Sequence, residues 1–115
     1  MTWTKISNGA ATLTIHKTSG HIIWNAVTQR MLEYILPSVV LYYDSSTKRL
    51  GIAPGYSYSI QVEDAEYSIA VKEALESIGF VFPLADNIEL TPQLLSPDIE
   101  GHSGIRVYVD LTGYI

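Results

Sequence analysis

The stretch TLTIHKTSGHIIWN, Thr12 to Asn25, decides how the rest of the chain is read. Thr12-Leu13-Thr14-Ile15 alternates hydroxyl and apolar side chains, Thr18-Ser19-Gly20 supplies a turn, and His21-Ile22-Ile23-Trp24 returns as a second run of strand-forming residues. Alternation interrupted by a Gly-containing turn predicts a β-hairpin. Asn25 follows as an N-cap for a helix over 26–36, in which Val27, Met31, Tyr34 and Ile35 share a face and Pro37 ends the run, because a helix stops at or before the residue preceding proline. Ser38 to Tyr43 and Arg49 to Ala53 read as strands around Asp44-Ser45-Ser46-Thr47-Lys48, a turn of residues that bond their own backbone. The order is strand, strand, helix, strand, strand, and Ala53-Pro54-Gly55 closes it.

The plan then starts again. Ser57-Tyr58-Ser59-Ile60 repeats the hydroxyl, apolar, hydroxyl, isoleucine order of Thr12 to Ile15, Glu63-Asp64-Ala65-Glu66 falls where the first turn was, and Tyr67 and Ile69 fall under Ile22 and Trp24. A helix-like run Ala70 to Ile78 places Val71 and Leu75 under Val27 and Met31, with Gly79 as its stop. Phe80-Val81-Phe82, a segment Asn87 to Leu95 broken by Pro92, and the alternating run Ile105 to Leu111 complete the chain. The expected fold is α+β: two similar ββαββ halves, residues 1–55 and 56–115, packed as one globular domain.

A chain of 115 residues is long enough for one shared core. It has no Cys, which excludes disulfides, thiolate zinc sites and cysteine nucleophiles. Its longest apolar runs fall far short of the ~20 residues that span a bilayer, and the sequence opens without a leader-like pattern, so a soluble, cytoplasmic protein without membrane contact is expected. The net charge of −5 is unevenly placed. Residues 1–55 carry Lys5, Lys17, Arg30, Lys48 and Arg49 against Glu33 and Asp44, a net of +3; residues 56–115 carry Lys72 and Arg106 against ten acids, a net of −8. Halves of opposite sign recruit different partners.

The succession Leu13-Thr14-Ile15-His16-Lys17, Gly20-His21-Ile22-Ile23-Trp24, the helix around Arg30 and Leu32, and Val39-Val40-Leu41-Tyr42-Tyr43-Asp44 to Leu50-Gly51-Ile52-Ala53-Pro54 resembles the swapped-hairpin AbrB/SpoVT family, which includes MazE-type antitoxins. The likeness covers about residues 12 to 54 and recurs faintly from 57 onward. It implies that two interlocked units form a small barrel, with this chain as a single-chain version of the family's dimer, and that basic residues of the hairpin and early helix contact DNA.

Two function classes follow. In one, His16, Lys17, His21, Arg30, Lys48 and Arg49 neutralise phosphates of duplex DNA, since a two-stranded ribbon fits the major groove; the protein is then a non-enzymatic transcription regulator. In the alternative, Glu63, Asp64, Glu66, Glu73 and Glu76 meet a basic protein partner, antitoxin-like or structural, with no nucleic-acid role. A terminal strand ending in Tyr114-Ile115 leaves an apolar edge that invites a homodimer. His16 with His21, or Asp98, Glu100 and His102, are the only groupings with metal-ligand character; a closed site needs three or four convergent ligands, so neither a metal nor a cofactor is expected. No nucleophile elbow or Gly-rich phosphate cradle occurs, Glu73 and Glu76 suit a solvated helix face, Trp24, Phe80 and Phe82 suit a core, and no enzyme is expected.

Overall fold

The structure is a computed structural model that describes residues 10–32, 37–64, 66–84, 86–94 and 105–115. The opening hairpin forms as its alternation demands. β1 (Leu13–Ile15) and β2 (His21–Trp24) are antiparallel, with Leu13 opposite Trp24 and Ile15 opposite Ile22. Every second side chain points inward, and these four residues are all buried. Asn25 then caps α1 (Ala26–Met31): its Oδ1 accepts from the Thr28 amide at 3.0 Å and the Thr12 amide at 3.2 Å, while its Nδ2 donates to the Ala10 carbonyl at 2.9 Å. A single amide side chain thus satisfies a first-turn donor and pins the chain that enters β1.

The inward face of α1 differs from the expected one. Thr28 and Leu32 are buried, whereas Val27 and Met31 are half-buried. Thr28 can be enclosed because its hydroxyl lies 2.9 Å from the Thr12 carbonyl, to which it donates, and 3.1 Å from Asn25 Oδ1, and a buried polar group with partners carries no desolvation penalty to speak of. Tyr34 and Ile35, the rest of the expected face, lie outside the described residues.

β3 (Ser38–Asp44) and β4 (Arg49–Pro54) form the second hairpin, with Val39 opposite Pro54 and Asp44 opposite Arg49. Its turn is held by Asp44, whose Oδ1 accepts from the Ser46 amide at 3.0 Å and the Ser46 hydroxyl at 2.7 Å. β5 (Tyr58–Ser59) pairs with β3, and after Ile60 the chain continues as β6 (Gln61–Glu63), which pairs with β7 (Glu66–Ala70). The strand expected at Ser57 to Ile60 therefore forms only as β5 in the second sheet, and the arm that pairs with β7 is the next segment, β6. α2 (Lys72–Ser77) follows, ended by Gly79 at φ +87°, and β8 (Ile88–Leu90) and β9 (Gln93–Leu94) flank Pro92 before β10 (Val107–Asp110).

Phe80-Val81-Phe82 forms no strand. Phe80 stacks on Tyr114 with ring centroids 6.0 Å apart and meets Phe82 edge-on at 4.9 Å, while the Val81 amide donates to the Tyr114 carbonyl at 2.7 Å. Aromatic packing against the last residues takes the place of a ladder.

Among the described residues the strands make two antiparallel five-stranded sheets, in the orders β6-β7-β2-β1-β8 and β5-β3-β4-β10-β9. One hydrophobic cluster draws on both: Leu13, Ile22 and Ile69 from the first, Val39, Ile52 and Val109 from the second, and Leu75 from α2. The fold is mixed and mostly strand. β10 lies between β4 and β9, and β9 covers the edge expected to be open from Ile105 to Ile115 only at Val107 and Tyr108. Among the described residues, no helix is long and apolar enough to cross a membrane.

Candidate functional site

The register of the central pair β2·β7 fixes where the candidate residues stand. His21 is opposite Ala70 and Trp24 is opposite Tyr67, so the two hairpin tips lie at opposite ends of the first sheet. Each helix begins beside the tip of the other hairpin: α1 next to the Glu66 end, α2 next to the His21 end.

At the first tip, the His16 amide donates to the His21 carbonyl at 2.9 Å and the Gly20 amide to the His16 carbonyl at 3.1 Å. His16 Nδ1 accepts from the amides of Thr18 at 3.3 Å and Ser19 at 3.2 Å, which uses the lone pair a metal would need. The Lys17 amide donates to Asn87 Oδ1 at 3.0 Å, tying the tip to the approach to β8. Lys72 adds a cation that the sequence reading passed over. Gly20, at φ +69°, sits so close to the start of α2 that a Cβ there would lie 2.5 Å from Lys72 Cβ.

The other cations are dispersed. Arg30 is exposed in the last turn of α1, where positive charge suits the helix C-terminus. Lys48, at φ +56°, ends the β3–β4 turn of the second sheet and Arg49 opens β4. Lys48 Nζ donates to the Ile115 carbonyl at 3.3 Å, and the Arg49 guanidinium lies 4.5 Å from the Tyr108 ring centroid, within cation–π range. Arg49 is also opposite Asp110. The Asp110 carboxyl is held below the usual carboxylate range chiefly by the Thr112 hydroxyl and amide, with the Arg49 charge contributing; Asp44 is lowered in the same way by Ser46.

All five acids assigned to a protein partner are exposed. Glu63, Asp64 and Glu66 share the second tip, where Asp64 takes φ +50°; Glu73 and Glu76 are separated from them by β7 and project from α2. Val62, on the same arm, is 64% exposed. Among the described residues no group of three or more His, Cys, Asp or Glu side chains is placed to hold a metal, and Asp98, Glu100 and His102 lie outside the described residues.

Sequence reasoning missed one concave feature. A half-open cleft of about 210 Å³ runs between α2 and the second sheet. Leu41, Tyr42, Tyr43 and Leu50 line it from β3 and β4, Tyr58 from β5, and Ala74, Leu75, Ser77 and Ile78 from α2 and its C-cap. Its only sequence signal was the spacing Ala74, Ser77, Ile78, which puts small and apolar residues on one face of α2. Comparison with family models, curated proteins and solved structures returned no match.

Proposed function

We propose that the chain is a non-enzymatic interaction module, a swapped-hairpin pair of ββαββ halves in one polypeptide, whose acidic half docks a basic segment of a protein partner. The strand ladders support the duplicated plan because they fall into mates: β1·β2 with β6·β7, β1·β8 with β5·β3, and β3·β4 with β9·β10. The two remaining ladders among the described residues, β2·β7 and β4·β10, each pair a strand with its own mate, and together with β1·β8 and β5·β3 they join one half to the other. The buried series Ile22, Trp24, Thr28 is echoed by Ile69, Val71, Leu75, a register that replaces the sequence pairing of Ile69 with Trp24 and of Val71 and Leu75 with Val27 and Met31. The chain passes between the sheets at Ile60 and again between Leu90 and Gln93, which is how a barrel of this type would close at its corners.

One observation carries the choice of partner. All five candidate acids are exposed, whereas of the six candidate DNA contacts only Arg30 is; His16, Lys17, His21, Lys48 and Arg49 are all half-buried. Phosphate neutralisation needs cations gathered and free to reach out, and these are distributed over two sheets with several side chains engaged internally. The second reading, duplex DNA at the first tip, is favoured by Lys72, which adds positive charge beside Lys17 and His21.

A titration of the whole chain with a labelled Lys- and Arg-rich peptide, and separately with a labelled DNA duplex, distinguishes the two. The expected result is peptide binding that weakens several-fold when Glu63, Asp64 and Glu66 are together replaced by lysine. Duplex binding with a steep salt dependence that Lys17→Ala and Lys72→Ala flatten, in the absence of peptide binding, would replace this reading with the DNA one.

A further inference from the structure

The cleft beneath α2 has a size and a rim that together specify an occupant. At about 210 Å³ it falls below the roughly 300–1,000 Å³ of small-molecule and cofactor sites, yet it has room for an apolar side chain. Leu41, Leu50 and Leu75 line it together with the phenol-bearing Tyr43 and Tyr58, so an inserted group meets aliphatic and aromatic carbon as well as polar atoms.

The surroundings add charge and access. Ala74 and Ser77 line the cleft from α2, and the exposed carboxylates Glu73 and Glu76 each immediately precede one of them. Glu73 also stands four residues before Ser77, on the same side of the helix. β5 pairs with β3 only through Ser38 and Val39, so among the described residues the stretch 41–43 of β3, which lines the cleft, has no strand partner on the β5 side. An extended chain laid there can seat one side chain inward while its neighbours reach the helix rim.

Resting on the basic-partner reading above, we infer that this cleft is the anchor site: it receives a single apolar side chain of an extended, Lys- or Arg-rich segment of another protein, whose cations pair with Glu73 and Glu76. The exposed carboxylates of Glu73 and Glu76, next in sequence to two lining residues of α2, complement such a segment and disfavour an acidic one. Enclosing one large apolar side chain raises affinity by about ten- to a hundredfold over a polar one.

The test uses the full chain and two Lys-rich peptides identical except at one central position, Leu in one and Ser in the other. The Leu peptide is expected to bind at least about tenfold more tightly, and the advantage is expected to vanish in Ala74→Phe, which fills the cleft, while the Ser peptide binds that variant as before. Ser77→Phe, at an exposed position, replaces Ala74→Phe if the latter does not fold. Equal affinity of the two peptides for the unaltered chain, or an advantage that survives both substitutions, overturns the anchor site and leaves the basic-partner reading standing. Failure of both peptides to bind overturns both.

Discussion

Replacing Gly20 by alanine tests the contact that locks the first hairpin to α2. Gly20 has φ +69°, and a Cβ built on it would lie 2.5 Å from Lys72 Cβ, 2.6 Å from Lys72 Cα and 2.8 Å from Lys72 Cγ. The left-handed conformation costs a non-glycine residue about 1–2 kcal/mol. The overlap is a separate cost: one partner is backbone, which cannot rotate away, and overpacking of this kind costs about 1–3 kcal/mol. The expected loss is therefore about 2–5 kcal/mol, a large part of the roughly 5–15 kcal/mol that holds a domain folded. Two other glycines isolate the second term. Gly79 has φ +87° with its nearest neighbour, Ile115 Cγ2, at 3.9 Å, and Gly113 has φ +97° with nothing within 4 Å, so alanine there should show the backbone cost alone. Urea unfolding of the three variants is the assay, with the midpoint compared at constant slope. For a slope of about 2 kcal/mol per molar, Gly20→Ala should unfold roughly 0.5–1.5 M below the other two. A midpoint for Gly20→Ala no lower than those of Gly79→Ala and Gly113→Ala would refute the close approach of hairpin and helix.

Asn25→Ala removes the helix cap together with the bonds to Thr12 and Ala10, and should cost about 2 kcal/mol in urea unfolding; Asn25→Asp keeps the acceptor and should recover most of it. Gln29→Met leaves the Trp24 indole N–H, now 2.7 Å from Gln29 Oε1, buried without a partner, at a cost of about 1–3 kcal/mol and with a shifted tryptophan emission. Asp44 and Asp110 have folded-state pKa values lowered by Ser46 and Thr112. Their contribution is complete above the unfolded value near about 3.9 and is lost as pH falls through the lower folded values. The wild type should therefore lose ground to an Asp44→Asn, Asp110→Asn double variant as pH falls below about 4, and parallel acid-unfolding curves would contradict this.

The parts of the fold legible in the sequence were those where side-chain pattern and local turn chemistry agree. The hairpin from Leu13 to Trp24 has alternation on its first arm, a run of strand-forming residues on its second and a glycine where φ is positive. The turn at Asp44 uses a carboxylate that bonds two residues ahead, and the alternation at Ile105 to Leu111 marks β10. The failures came where a distant segment decided the outcome. Thr28 displaces Val27 from the core because Thr12, far away in sequence, offers its hydroxyl an acceptor. Ser57 to Ile60 looks like one strand because nothing local reveals that Ile60 sits between two sheets. Phe80 to Phe82 has strand composition, but Tyr114 supplies aromatic contacts instead of a ladder. At the candidate site, the exposure of the acids was legible from their density, while the internal engagement of His16, Lys48 and Arg49 was not, because it depends on which carbonyls and rings lie across the turns.

The crossing of the chain at Ile60 has a consequence for how the protein assembles in time. β1 finds its outer neighbour only when β8 has been made, and β3 finds its own only in β5, so neither half has a finished hydrogen-bonded perimeter by itself. Such interdependence makes the loop-closure cost large before any contact compensates it and slows the search. Amide exchange from both sheets should consequently be released by the same opening event, with the slowest protons of β2 and β10 sharing one rate of appearance.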